Sequence, residues 1–151
     1  MKQLNALDRI RMSGDEPLKV KNSPLSLQLL DFWQWSSSNL IGNALRGILA
    51  EFVVASAVGC NNGIRIEWDA YDIESPEGIK IEVKSGAYIQ SWEQKKFSPI
   101  KFGIQPTHGW DSKSNIRSVQ KLRLSDIYVF CVLAHKEQET INPLNLDQWE
   151  F

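Results

Sequence analysis

Asp72, Glu82 and Lys84 are the residues whose types and spacing are best suited to chemistry, and the turn Ser75-Pro76-Glu77-Gly78 between them decides whether they meet. Pro76 fixes φ at the first loop position, Glu77 is helical at the second, and Gly78 is free to turn left-handed at the third. Such a three-residue hairpin loop pairs Ser75 with Ile79. Counting back along the ladder, it sets Asp72 opposite Glu82 on one face, with Cβ atoms roughly 5 Å apart. Lys84 shares that face, two residues on. A four-residue loop would shift the pairing by one and send Asp72 to the other side.

Two ionised carboxylates about 4 Å apart at an effective dielectric near 20 repel by roughly 4 kcal/mol, so a cation is expected between them. Carboxylates are hard oxygen ligands for Mg²⁺ or Mn²⁺, and the Val83 backbone carbonyl adds a further oxygen. Lys84 beside such an ion would orient a water as nucleophile or stabilise charge developing on a phosphate.

Asp72 as a lone acidic residue, Glu82-Val83-Lys84 as a triplet and Glu51 on the preceding helix together resemble the PD-(D/E)XK, or restriction-endonuclease-like, nuclease superfamily. The resemblance extends over about residues 38–134 and includes the order helix, motif hairpin, helix, further strands; Tyr71 stands where the name-giving proline would be. It implies an α/β fold with a restriction-endonuclease-like core, a central mixed β-sheet flanked by helices. It also implies Mg²⁺- or Mn²⁺-dependent hydrolysis of nucleic-acid phosphodiesters. Asp72, Glu82, Val83 and Glu51 would hold the metal, Lys84 would assist the water, and Gln90 would reach back from the following helix. For Glu51 the alternative is an ion pair with Arg65 or Lys80, and for Gln90 a place on the surface.

The elements that must position these residues follow from periodicity. Residues 1–22 read as a polar leader and 23–151 as one domain. Ser23-Pro24 caps a helix expected over 24–35. A longer helix over 40–58 carries apolar residues at 41, 45, 48, 52 and 55 and is closed by Gly59, while Ala44, Gly47 and Ala55 near Glu51 would let it lie close to a sheet. Ile64, Ile66 and Trp68 alternate as a strand before the hairpin. Residues 87–96 read as a short helix, Ile100–Ile104 as a strand, 106–125 as a loop or partly helical segment, and Ile127–Ala134 as a buried strand. Leu146 to Phe151 open a strand that stops at once, which fits either a truncated chain or an aromatic pair pinning a tail.

Formal charge is −1, yet that value averages unlike parts. Ala50 to Glu93 holds eight acidic residues against three basic ones, and Gln94 to Leu124 holds seven basic residues against Asp111. An acidic metal pocket beside a basic stretch suits a phosphodiesterase. Lys95, Lys96, Lys101, Lys113, Arg117, Lys121 and Arg123 are the expected nucleic-acid contacts, with DNA the expected partner; a homodimer is compatible with the sequence. No apolar run approaches the roughly 20 residues of a membrane span. The N-terminus lacks the apolar core of a secretory signal, so a cytoplasmic location is expected. Cys60 and Cys131 are too few for a disulfide framework and read as buried free thiols. Two other functions compete with a nuclease: a nucleic-acid-binding module or complex subunit of the same fold without catalysis, and a scaffold using its six tryptophans as an interface.

Overall fold

The structure, a computed structural model, describes residues 7–67, 70–111 and 116–151. It opens with a hairpin of β1 (Pro17–Val20) and β2 (Ser23–Gln28). Lys21 and Asn22 close it with φ values of 48° and 68°, the consecutive left-handed pair that matches the twist of a two-residue loop. Helix α1 (Leu29–Ser37) follows, and its Gln28 amide donates to Asp31 Oδ2 at 2.7 Å in a capping box. The leader therefore contains a strand, and the helix expected from residue 24 starts five residues later. Pro24 lacks an N–H and is tolerated on this two-stranded edge, so it marks a strand rather than a helix start.

Helix α2 (Asn43–Ala57) lies inside its expected span. Gly59, at φ +73°, ends it: the Cys60 amide donates to the Ala55 carbonyl at 2.7 Å and the Gly59 amide to that of Ser56 at 3.3 Å. The buried face is not the expected stripe. Arg46, Ala50 and Val54, four residues apart, face inward, whereas Ile48 and Phe52 remain exposed. Ala44 is exposed and a Cβ on Gly47 would meet nothing, so of the three expected small residues only Ala55 packs against the core, and the closest burial is at Ala50.

The motif hairpin joins β3 (Ile73–Glu74) to β4 (Lys80–Ala87) in the expected register, Ile73 with Ile81 and Glu74 with Lys80. Both closing bonds of the three-residue loop are present at 2.9 Å, Gly78 N–H to Ser75 O and Ser75 N–H to Ile79 O, and Gly78 has φ +82°. A Cβ there would meet no neighbour, so Gly78→Ala is opposed by backbone conformation alone. We expect it to lower unfolding free energy by about 1 kcal/mol in a urea titration; an unchanged midpoint would show that the loop does not need its left-handed residue.

From β4 the chain crosses over through residues 88–106 without helix or strand. Gln94 gathers this stretch: its Nε2 donates to the Tyr88 carbonyl at 3.2 Å and Ser98 Oγ at 3.0 Å, and its Oε1 accepts from the Gln90 amide at 2.7 Å. The helix expected at 87–96 is thus irregular backbone gathered by the Gln94 side chain, and the strand expected at 100–104 is irregular as well. Residues 106–125 carry a separate antiparallel pair, β5 (Thr107–Asp111) and β6 (Ile116–Leu122), in place of the expected loop. Ile64–Ile66 form no strand, and Trp68 lies outside the described residues.

Strand β7 (Ile127–Leu133) pairs in parallel with β4, and β8 (Trp149–Glu150) pairs antiparallel with β7. The result is a mixed sheet in the order β3-β4-β7-β8 within a mixed α/β fold. Side chains alternate along β4. Ile81, Val83 and Ala87 join Ala50 and Val54 of α2, Cys131, Leu133 and Trp149 in the core, and Glu82 and Lys84 point to the other face, where Phe102 stacks on Phe130 at 4.8 Å. Helix α2 covers one side of the sheet, while α1 packs on β2. Cys131 is a buried free thiol whose pKa burial pushes up to about 11, and Cys60 is half-buried. The Trp149 indole donates to the Pro143 carbonyl at 3.0 Å and its ring stacks on Phe151, which fastens the tail. Among the described residues no helix is long and apolar enough to cross a membrane.

Candidate functional site

Strand β3 is only two residues long, and this shapes the site. Val83 presents its N–H to the β3 edge of β4, as Ile81 does, but no β3 residue reaches it. Asp72 supplies the acceptor from its side chain: Oδ2 takes the Val83 N–H at 2.7 Å, and the Asp72 amide donates to the Ile81 carbonyl at 3.1 Å. The register is the expected one at Ile73 and Glu74, but the ladder does not extend to an Asp72–Glu82 pair: the Asp72 amide turns to the Ile81 carbonyl and its carboxylate turns into the sheet edge. The Val83 carbonyl points to the same edge.

Burial pushes the Asp72 carboxyl up to about 6, and the nearby Glu51 and Glu82 carboxylates add to this, while the Val83 hydrogen bond and Lys84 oppose it. Glu82 forms an ion pair with Lys84, two residues along the same strand face. Glu51 is held by Arg65 through both carboxylate oxygens, with Arg65 Nη2 3.0 Å from Oε1, so the ion-pair alternative for Glu51 is the arrangement present. Each carboxylate thus has a different partner. Accordingly, among the described residues no group of three or more His, Cys, Asp or Glu side chains stands ready to enclose a metal ion. The donor types still suit one: carboxylate and backbone carbonyl oxygens are hard ligands, and the Asp72 carboxyl, held up at about 6 chiefly by burial, lies at the backbone edge.

Gln90 does not join the carboxylates. Its Nε2 donates to the Ala87 carbonyl at 2.8 Å and its Oε1 accepts from Arg46 Nη1 at 3.2 Å. Arg46 is the residue that sequence reasoning missed. It is 3% exposed, and its guanidinium also donates to Ser85 Oγ at 3.2 Å, the Ile41 carbonyl at 2.9 Å and Asn43 Oδ1 at 2.6 Å. These partners are neutral, and burial lowers the Arg46 pKa. The guanidinium ties α2 to the segment that follows Lys84. The available signal was an arginine four residues before Ala50 on an otherwise apolar helix face.

The expected nucleic-acid contacts fall on two segments. Lys95 and Lys96 are exposed beside Trp92 and Phe97 on a cleft that also includes Lys136, and Lys101 is exposed further along. Lys121 on β6 and Arg123 just after it are exposed, with Arg123 Nε donating to the Ile104 carbonyl at 3.1 Å. Arg117 pairs by its backbone with Trp110, and its side chain lies outside the described residues, as does Lys113 altogether.

No curated protein and no solved structure matches the chain. A family model described as bacteriophage T4 endonuclease IV matches residues 3–151, and on that match the chain belongs to the bacteriophage T4 endonuclease IV family, a family of nucleases.

Proposed function

We propose that the protein is a divalent-metal-dependent endonuclease that hydrolyses phosphodiester bonds of DNA, with a PD-(D/E)XK site on a restriction-endonuclease-like core. The family membership supports nuclease activity. The observation that carries the rest is the Asp72 carboxylate, fixed on the β4 edge and raised in pKa beside Glu51 and Glu82.

Asp72, Glu82 and the Val83 carbonyl are the residues to hold Mg²⁺ or Mn²⁺, with Glu51 supporting them directly or through water. When bound, the ion supplies positive charge that polarises the phosphodiester and lowers the pKa of the attacking water. Lys84 is shared between Glu82 and the substrate: once Glu82 is engaged elsewhere, Nζ is released to donate to the attacking water or to a non-bridging phosphate oxygen. The water oxygen forms the new P–O bond and gives up a proton to solvent, one ester P–O bond breaks, and the leaving sugar oxygen takes a proton from solvent. Lys95, Lys96, Lys101, Lys121 and Arg123, with Lys113 and Arg117, hold the flanking backbone, and Gln90 acts through Arg46 as a positioning residue.

Chelation tests this reading. Cleavage of DNA by the purified protein should stop in EDTA, return with excess Mg²⁺ or Mn²⁺, and fall about 10²-fold or more in Lys84→Met. Cleavage that persists in EDTA would refute the metal-dependent mechanism.

A further inference from the structure

A cavity of 340 Å³ opens beside the carboxylates, and its walls are unsuited to holding phosphate. Ile48 and Phe52 of α2 form one wall, and Ile64 and Ile66 of the segment after α2 form another. These four side chains keep 36, 52, 39 and 43% of their surface exposed, a concentration of apolar surface that a polyanion backbone does not use. Asp72 and the Glu51–Arg65 pair, with Glu74, Tyr71 and Asn61, form the polar part of the same cavity.

We propose that this cavity receives one unstacked nucleobase of the substrate strand, adjacent to the phosphodiester held at Asp72. The proposal rests on the functional reading above. Whatever enters the cavity from the substrate is tethered to a phosphate at its polar end, and the flat, largely apolar part of a nucleotide is its base. The volume lies in the range of small-molecule sites, roughly 300–1,000 Å³. Phe52 offers a ring face, the isoleucines offer flat aliphatic contacts, and the Arg65 guanidinium, held by Glu51, offers donors to a base edge. The base can come from a single strand, already unstacked, or be extruded from a duplex.

The test uses the full chain and a series of oligonucleotides in which one nucleotide at a time is replaced by an abasic site. With Mg²⁺, removal of one base next to the cut should slow cleavage about tenfold or more, and removal of the others should change little. Phe52→Ala, and Ile66→Ala from the opposite wall, should cut intact DNA about tenfold more slowly and lose most of the discrimination. Both side chains are half-exposed, which limits the risk to folding. Sensitivity in single strands alone identifies a base that arrives unstacked; sensitivity in duplexes as well identifies extrusion. Equal cleavage of the whole series by the wild type, or full discrimination by both variants, would overturn the pocket while leaving the nuclease intact. If the wild type cuts nothing, the functional reading fails, and equilibrium binding of the same series decides the pocket: a tenfold loss at one abasic position, absent in Phe52→Ala, supports it, and uniform binding overturns it.

Discussion

Asp72→Asn should cut DNA at least about 10³-fold more slowly than the wild type and yet be the more stable protein at about pH 7.5. The loss of activity follows from removing the anion proposed to anchor the cation at the β4 edge. The gain in stability follows from the pKa. The folded-state value is about 6 against an ordinary value of 3.8, so the folded protein binds this proton more tightly than the unfolded chain. Stability therefore falls as Asp72 ionises between about pH 4 and pH 6 and stays lower above that window. Asparagine carries no charge to bury and keeps an acceptor for the Val83 N–H. In thermal melts without metal, the Tm of Asp72→Asn should exceed the wild-type Tm at about pH 7.5 and equal it near pH 3.5. On the proposed site, adding Mg²⁺ should raise the wild-type Tm and leave the variant, which lacks the anchoring anion, unchanged. A Tm difference independent of pH would place the carboxyl in ordinary solvent.

The second large effect is on stability. Arg46→Met fills similar volume but leaves Ser85 Oγ, Asn43 Oδ1, Gln90 Oε1 and the Ile41 carbonyl without their shared donor. Hydrogen bonds from a charged group contribute about 1.5–3 kcal/mol each, and some of these acceptors can find water, so a loss of about 3 kcal/mol is expected. That corresponds to a fall of roughly 6–12 °C in Tm for a chain of this size. Arg46→Lys should recover only part of it, since one ammonium cannot reach four acceptors with the geometry of a guanidinium fork. Ser85 and Gln90 flank the segment after Lys84, so the Lys variant should also show a lower kcat with little change in KM. Full stability in Arg46→Met would show that α2 is held to the sheet by Ala50 and Val54 alone.

What was legible in the sequence was local. The hairpin register followed from Pro76-Glu77-Gly78, because a three-residue loop with a left-handed third residue permits one pairing, and the bonds at Ser75 confirm it. Gly59 announced the end of α2 for the same kind of reason, and the apolar run at Ile127–Ala134 announced a strand, although only Cys131 and Leu133 of β7 are buried while Ile127 and Phe130 stay exposed. What failed depends on distant partners. Ser23-Pro24 serves a strand edge as well as a helix start, and only the Lys21-Asn22 turn distinguishes the two. The stretch 87–96 has helical spacing but is gathered by Gln94 into a loop. The stripe at 41, 45, 48, 52 and 55 has the right period, but the sheet lies against Arg46, Ala50 and Val54, leaving Ile48 and Phe52 for the cavity. At the site, residue types pointed to Asp72, Glu82, Lys84 and Glu51, whereas the Asp72–Val83 contact needs a β3 of only two residues, a length no periodicity encodes.

The most direct test of the central claim is a crystal structure of the protein soaked in Mn²⁺, with the ion located by its anomalous scattering. A peak bridging Asp72 and Glu82, with Lys84 released from Glu82, is the predicted result. Mn²⁺ bound elsewhere, with Asp72 still on the Val83 N–H and Glu82 still on Lys84, would contradict the assignment of these carboxylates as the metal site.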